Sequence, residues 1–120
     1  MNYKILSLIL FFCVLQISCT NAHEDDFLQD ENPENLTYHE QIKPIIDNNC
    51  IICHNNPPVN AAPMSLVEYE DVKQAVLERG LLDRIQKQQG ETGAMPLGGP
   101  RLPQTLIDQI INWAEQGFPE

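Results

Sequence analysis

Cys50-Ile51-Ile52-Cys53-His54 is the stretch on which the reading of this chain turns. Two thiols three positions apart, followed at once by an imidazole, make the C-x-x-C-H pattern of covalent haem attachment. The spacing lets both sulfurs reach the two vinyl groups on one edge of a porphyrin and form thioethers. The next residue then turns its ring onto the iron as proximal ligand. The competing readings lack what they need. A thioredoxin-like redox pair belongs in a βαβ setting, and no strand pattern accompanies this one. A zinc site wants a second Cys or His pair at ligand spacing, and His39 is the only other histidine after residue 36. A disulfide between Cys50 and Cys53 would close a loop too small to constrain the chain much. The expected cofactor is one covalent haem c, held by Cys50 and Cys53, with His54 on the iron.

Outward from the motif, the other two cysteines find roles in the N-terminal segment. Lys4 is the only charge before residue 19, and Ile5 to Leu15 is apolar except for Ser7. That run suits a signal-peptide core and is too short to span a bilayer, so residues 1–18 read as an export signal containing Cys13. Ser18-Cys19, just after the apolar run, resembles the lipobox of bacterial lipoproteins. In that family the cysteine becomes the lipidated first residue of the mature chain. The resemblance makes Cys19 the lipidation site and implies a lipid anchor to a bacterial membrane, with the domain in the periplasm or at the cell surface. An ordinary secretory signal cut nearby, leaving Cys19 a free thiol, is the other reading. In both the chain is exported.

The chain sets 7 Lys+Arg against 17 Asp+Glu for a formal charge of −10, and loss of Lys4 with the signal makes it −11. Such acidity argues against a nucleic-acid partner, which needs a basic face. It points instead to redox protein partners with a basic docking face. Six of the carboxylates fall in residues 20–36, with no Lys or Arg among them. Residues 19–36 therefore read as an acidic flexible tether, in which His23 is solvated. Residues 37–120 read as the folded domain.

In that domain the punctuation is helical, and the expected fold is all-α. Thr37-x-x-Glu40 is a capping-box signature, and Ile42, Ile45, Ile46 and Cys50 follow at helical spacing. Pro44 demands either a loose first turn or a kink. Residues 55–63, with three prolines, form a loop. Glu68 to Glu78 is a second helix with Tyr69, Val72, Val76 and Leu77 inward, stopped by Gly80. Leu81, Leu82 and Ile85 suggest a short third helix. Residues 89–103 hold four glycines and three prolines and are a loop. Thr105 to Gln116 closes the chain as a helix carrying Leu106, Ile107, Ile110, Ile111 and Trp113. A domain of this size is marginal on its own core, and a porphyrin would add apolar volume.

Ile42-Lys43-Pro44-Ile45-Ile46 stands ahead of the haem motif. Met64-Ser65-Leu66, Tyr69, Met95-Pro96-Leu97-Gly98-Gly99 and Leu102 through Trp113 follow it. With these pieces in this order, residues 38–120 resemble a class I monohaem c-type cytochrome of the exported bacterial lipoprotein kind. The resemblance implies a small fold with N- and C-terminal helices packed around one haem, one-electron transfer, and iron held by His and Met. Family patterns put the distal ligand in a Met-Pro pair, which makes it Met95. The residues agree: beyond the signal only Met64 and Met95 remain, and Met95 lies in the long Gly/Pro-rich loop. Met64, ten residues past His54, reads more simply as packing, and His39 is a poorer third choice. With no glycine in the first helix, its contact with the last should fall to Ile or Asn.

No paired carboxylates at active-site spacing, nucleophile constellation or phosphate loop accompanies the motif. The expected role is an electron carrier, not an enzyme. The alternatives are a haem-based small-ligand sensor, or a haem subunit of a larger oxidoreductase complex. Around the iron, the His54 Nδ1–H should donate to a carbonyl, with Pro57, Pro58 and Pro63 as the choices. Arg84 and Arg101 could meet haem propionates, against a default of simple exposure. Trp113 reads as core packing rather than an electron relay.

Overall fold

Pro44 shapes the opening of the domain. The computed structural model describes residues 35–120. The expected signal segment, Cys13, Cys19, His23 and all of the expected tether but Asn35 and Leu36 lie outside the described residues. Proline offers no N–H to the preceding turn. The chain accommodates this with a wide first turn, Tyr38–Ile42, in which the Lys43 N–H returns to the Tyr38 carbonyl. Helix α1, Lys43–Asn49, follows with Pro44 in its first turn, where the missing N–H is an orphan in any case. Of the two outcomes expected at Pro44, the loose turn is the one adopted. Thr37 Oγ1 accepts from the Glu40 N–H at 3.4 Å. The return bond comes from Gln41, not Glu40: Gln41 Oε1 takes the Thr37 N–H at 2.8 Å.

Helix α2, Tyr69–Glu78, opens on a reciprocal capping box between Glu68 and Asp71. Gly80, at φ +69°, reverses the chain in the left-handed region that glycine adopts without strain. Helix α3, Leu81–Gln86, begins at once. Val72 and Ala75 of α2 face the core, while Leu77, expected inward, is 62% exposed. Five residues on from Val72, Leu77 sits about 140° around the helix, whereas Ala75 shares the Val72 face. Helix α4, Gln104–Glu115, starts behind Pro103 without a side-chain cap and buries Ile107, Ile110 and Trp113. Among the described residues there is no strand, and the fold is all-α. None of their helices is long and apolar enough to cross a membrane.

One apolar cluster joins all these elements, and it includes Leu36. Leu36 is fully buried, and its N–H donates to Gln116 Oε1 at 3.2 Å. The packed domain thus begins ahead of Thr37, the boundary read from the sequence. The first and last elements meet through aromatic rings. Tyr38 lies 5.9 Å from Trp113 and 5.3 Å from Tyr69, and Phe118 stands edge-on to Trp113 at 4.9 Å. Tyr38, from the opening turn, joins this contact, which the sequence places on Ile or Asn, and Ile42, Ile45 and Ile46 are buried in the same cluster. Donors from three elements then converge on the tail. Tyr38 N–H and Trp113 Nε1–H both donate to the Pro119 carbonyl, at 2.9 and 2.8 Å. Tyr69 Oη donates to the Phe118 carbonyl at 2.8 Å.

The Tyr38 hydroxyl is buried with no hydrogen-bond partner among the described residues. Burial, with Asp47, Glu68 and Asp71 adding to it, pushes its pKa up to about 12. Two substitutions separate the groups that matter here. Tyr38→Phe removes an unsatisfied hydroxyl and should leave stability unchanged or raise it by up to ~1 kcal/mol. Trp113→Phe deletes a paired donor and leaves a void, and should cost about 1–3 kcal/mol. Urea unfolding of both variants checks the pair, and a larger loss for Tyr38→Phe would contradict it.

Candidate functional site

Helix α1 delivers the Cys50–His54 motif to the wall of a cavity. The Cys50 N–H bonds to the Ile46 carbonyl at 2.8 Å, and the Cys53 and His54 N–H groups both return to the Cys50 carbonyl, at 3.2 and 2.9 Å. The segment beyond is stitched to the same turn. Val59 N–H donates to the Cys53 carbonyl at 2.9 Å, and Leu66 N–H to the His54 carbonyl at 2.8 Å. Between them Asn60 and Ala61 are consecutive left-handed residues, at φ +53° and +60°. This tight reversal brings the chain back so that Met64 passes beside His54.

The cavity measures about 650 Å³, within the ~300–1,000 Å³ typical of ligand and cofactor pockets. Cys50, Cys53, His54 and Met95, expected to act together, all line it, and so does Met64. Leu66, Leu81, Ile85 and Leu102 supply apolar wall. Residues more than forty positions apart in the chain are thus brought to one space.

His54 Nδ1 lies 2.9 Å from the Met64 carbonyl. A carbonyl can only accept, so Nδ1 carries the proton and Nε2 keeps its lone pair for a metal. The sequence left this partner open among Pro57, Pro58 and Pro63; the returning loop instead meets the ring one residue past Pro63. Met64 therefore has its backbone behind the imidazole, tied to the proximal side. Met95 is held from elsewhere: its N–H donates to the Arg84 carbonyl in α3 at 3.0 Å. The two methionines reach the cavity from different elements, and only Met95 is free of the histidine's own support. His39 is exposed, faces Glu120 at 3.6 Å and takes no part in the lining.

Both thiols are free. Burial pushes Cys50 up to about 11, so at neutral pH it is a protonated thiol. A redox-active C-x-x-C pair depends on a lowered thiol pKa, and burial moves Cys50 the other way. Asn60 Nδ2 donates to Cys53 Sγ at 3.5 Å. Among the described residues no three His, Cys, Asp or Glu are grouped as a zinc site would need. A haem asks for something different, and the donors present fit it: two unpaired thiols three positions apart, an imidazole with Nε2 free, a thioether from a separate loop, and apolar walls.

The arginines divide. Arg84 lines the cavity. Arg101 does not: it donates to Gln104 Oε1 at 2.7 Å and to the carbonyls of Gln86 and Leu102 at 3.4 Å. Arg79, which the sequence reading did not single out, lines the cavity from the end of α2. Its only sequence signal was its place beside the helix-ending Gly80. Trp113 is fully buried and outside the lining, as core packing requires. No protein-family model matches the chain, and no curated protein or solved structure does so either.

Proposed function

We propose that this chain is a one-electron carrier with a single covalently attached haem c, built on a class I cytochrome c-like fold. One observation carries the reading. Cys50, Cys53, His54 and Met95 line the same largely apolar cavity, and His54 already has its Nδ1 proton committed to a backbone carbonyl. When bound, the haem iron supplies a couple that gains and loses one electron. The chain's own residues do the rest. Cys50 and Cys53 would hold the macrocycle through thioethers, and His54 Nε2 and the soft, neutral thioether of Met95 would hold the iron. Leu66, Leu81, Ile85 and Leu102 give the site an apolar wall, and with both His54 and Met95 on the iron no open position would be left for a substrate.

Partners would meet this protein at two ranges. The net charge of −10 draws a basic surface from a distance. At contact the cavity's outer lining is apolar, with Ile52 80% and Leu97 77% exposed. A visible spectrum of the purified protein with a pyridine haemochrome assay tests the proposal. The expected result is the spectrum of a haem with two thioethers that remains with the polypeptide on denaturation. A colourless protein, or haem that extracts freely, would refute it.

The export reading makes its own prediction. With Cys19 as the lipidated residue, the haem protein should sediment with membranes. Cys19→Ser should release a soluble one, since the firm hold of a lipoprotein comes from its several acyl chains. If wild type and variant distribute alike between membrane and soluble fractions, Cys19 carries no anchor.

A further inference from the structure

The charge of the cavity is the opposite of the charge of the chain. Seventeen acidic residues stand in the sequence, yet no Asp or Glu lines the cavity, and the charged side chains that do are Arg79 and Arg84. They come from the two helices that meet at Gly80: Arg79 is the residue that closes α2, and Arg84 belongs to α3. Neither is spent on a carboxylate among the described residues. Arg79 makes no side-chain hydrogen bond or ion pair there, and Arg84 reaches only the Gly93 carbonyl, at a long 3.4 Å. Cations nearby and elsewhere are engaged: Lys87 pairs with Asp83 at 3.0 Å and Lys43 with Asp47 at 2.6 Å. Two arginines lining a largely apolar cavity, neither paired with an acid among the described residues, call for a ligand that brings its own carboxylates. Both side chains are exposed, at the rim of the cavity, and each fork can take a carboxylate through two parallel N–H bonds.

We infer that Arg79 and Arg84 bind the two propionate carboxylates of the haem, and so fix the edge of the macrocycle that the thioethers leave unheld. This rests on the haem reading above. Cys50 and Cys53 secure the vinyl edge, and the α2–α3 junction secures the acidic one. Arg84 has a second part in the same arrangement, because its carbonyl also anchors the Met95 N–H. Its guanidinium can be removed by Arg84→Gln while that backbone bond stays available.

Carbodiimide and methylamine, applied to the intact haem protein, test the pair by converting accessible carboxylates to amides. Mass spectrometry of the haem-bearing Cys50–His54 peptide then counts amides on the propionates, while exposed acids such as Glu91 report the extent of reaction. In the wild type the propionates should react about ten- to a hundredfold more slowly than in R79Q/R84Q, as expected for a charge-assisted hydrogen bond. R79Q and R84Q alone should each release one carboxylate, and Arg101→Gln should release none. Wild-type propionates that react as fast as in urea-unfolded protein overturn the inference. So does equal protection in wild type and double variant, since burial alone would then explain it. If the Gln variants mature without haem, R79K and R84K carry the test: retained haem with partial reactivity supports the pair, and full wild-type protection in both overturns it. Absence of any haem-bearing peptide from the wild type is a different failure, that of the haem reading itself.

Discussion

Met95→Ala should turn a closed haem protein into an open one. The variant is expected to keep its covalent haem, since Cys50, Cys53 and His54 are untouched. It should lose the sulfur–iron charge-transfer band of the oxidised form. With a thioether gone, ferrous iron loses a ligand that favours it, so the reduction potential should fall. Carbon monoxide and imidazole should bind where neither did well before. Met95 is half-buried against the core, so the accompanying loss of stability should lie near the lower end of ~2–5 kcal/mol. Met64→Ala is the comparison. Its backbone carbonyl, which orients His54, survives the substitution, so the iron spectrum should change little. A charge-transfer band abolished by Met64→Ala and kept in Met95→Ala would move the distal ligand to the short loop after the motif. A wild type with no such band and ready carbon monoxide binding would replace the carrier with a small-ligand sensor.

The second large effect belongs to the thiols. Cys50→Ser or Cys53→Ser alone should leave haem held by one thioether and lower the yield of folded protein. The double variant should lose covalent haem altogether. The reason is structural as much as chemical. The cavity of about 650 Å³ opens among Leu66, Leu81, Ile85 and Leu102, the last three from the C-terminal half of the domain. Those four are buried in the core already, but Met64 and Met95 on the same wall are only half-buried, and covering such side chains fully is worth up to roughly 1.5–3 kcal/mol each. Thermal unfolding and absorbance of the double variant check this together. A Ser/Ser protein that melts with the wild type, haem absent, would mean the cavity serves something else.

The helices were legible because their signals are local. Period, caps and the Gly and Pro breakers bound α2, α3 and α4 to within a residue or two. What could not be read depends on distance in space. The partner of His54 is a main-chain carbonyl, which every residue of the following loop possesses equally; only the left-handed pair Asn60–Ala61 selects Met64. In the sequence Arg79 is like any charged residue at a helix end, and Arg101 is like Arg84; only the fold puts Arg84 on the cavity and turns Arg101 to Gln104. Leu77 follows directly on the inward Val76, but its angle around α2 turns it to solvent and gives the core the smaller Ala75. The aromatic meeting of Tyr38, Tyr69, Trp113 and Phe118 joins residues up to eighty positions apart, and no periodicity marks such a set.

The tail that locks this aromatic group also sets a clock. A chain delivered across a membrane from its N-terminus presents Cys50 and Cys53 early, while Phe118 emerges 65 residues after Cys53. Until then Tyr38, Tyr69 and Trp113 lack the carbonyls of Phe118 and Pro119 to which they donate. The domain cannot close on itself in that interval, because its first and last segments complete one another. On the proposed function, the thiols would accordingly be offered for thioether formation on an unfinished chain, before packing draws Cys50 inward. Shortening the delay, for instance by moving the tail residues ahead of the motif through circular permutation, should make haem attachment compete with folding.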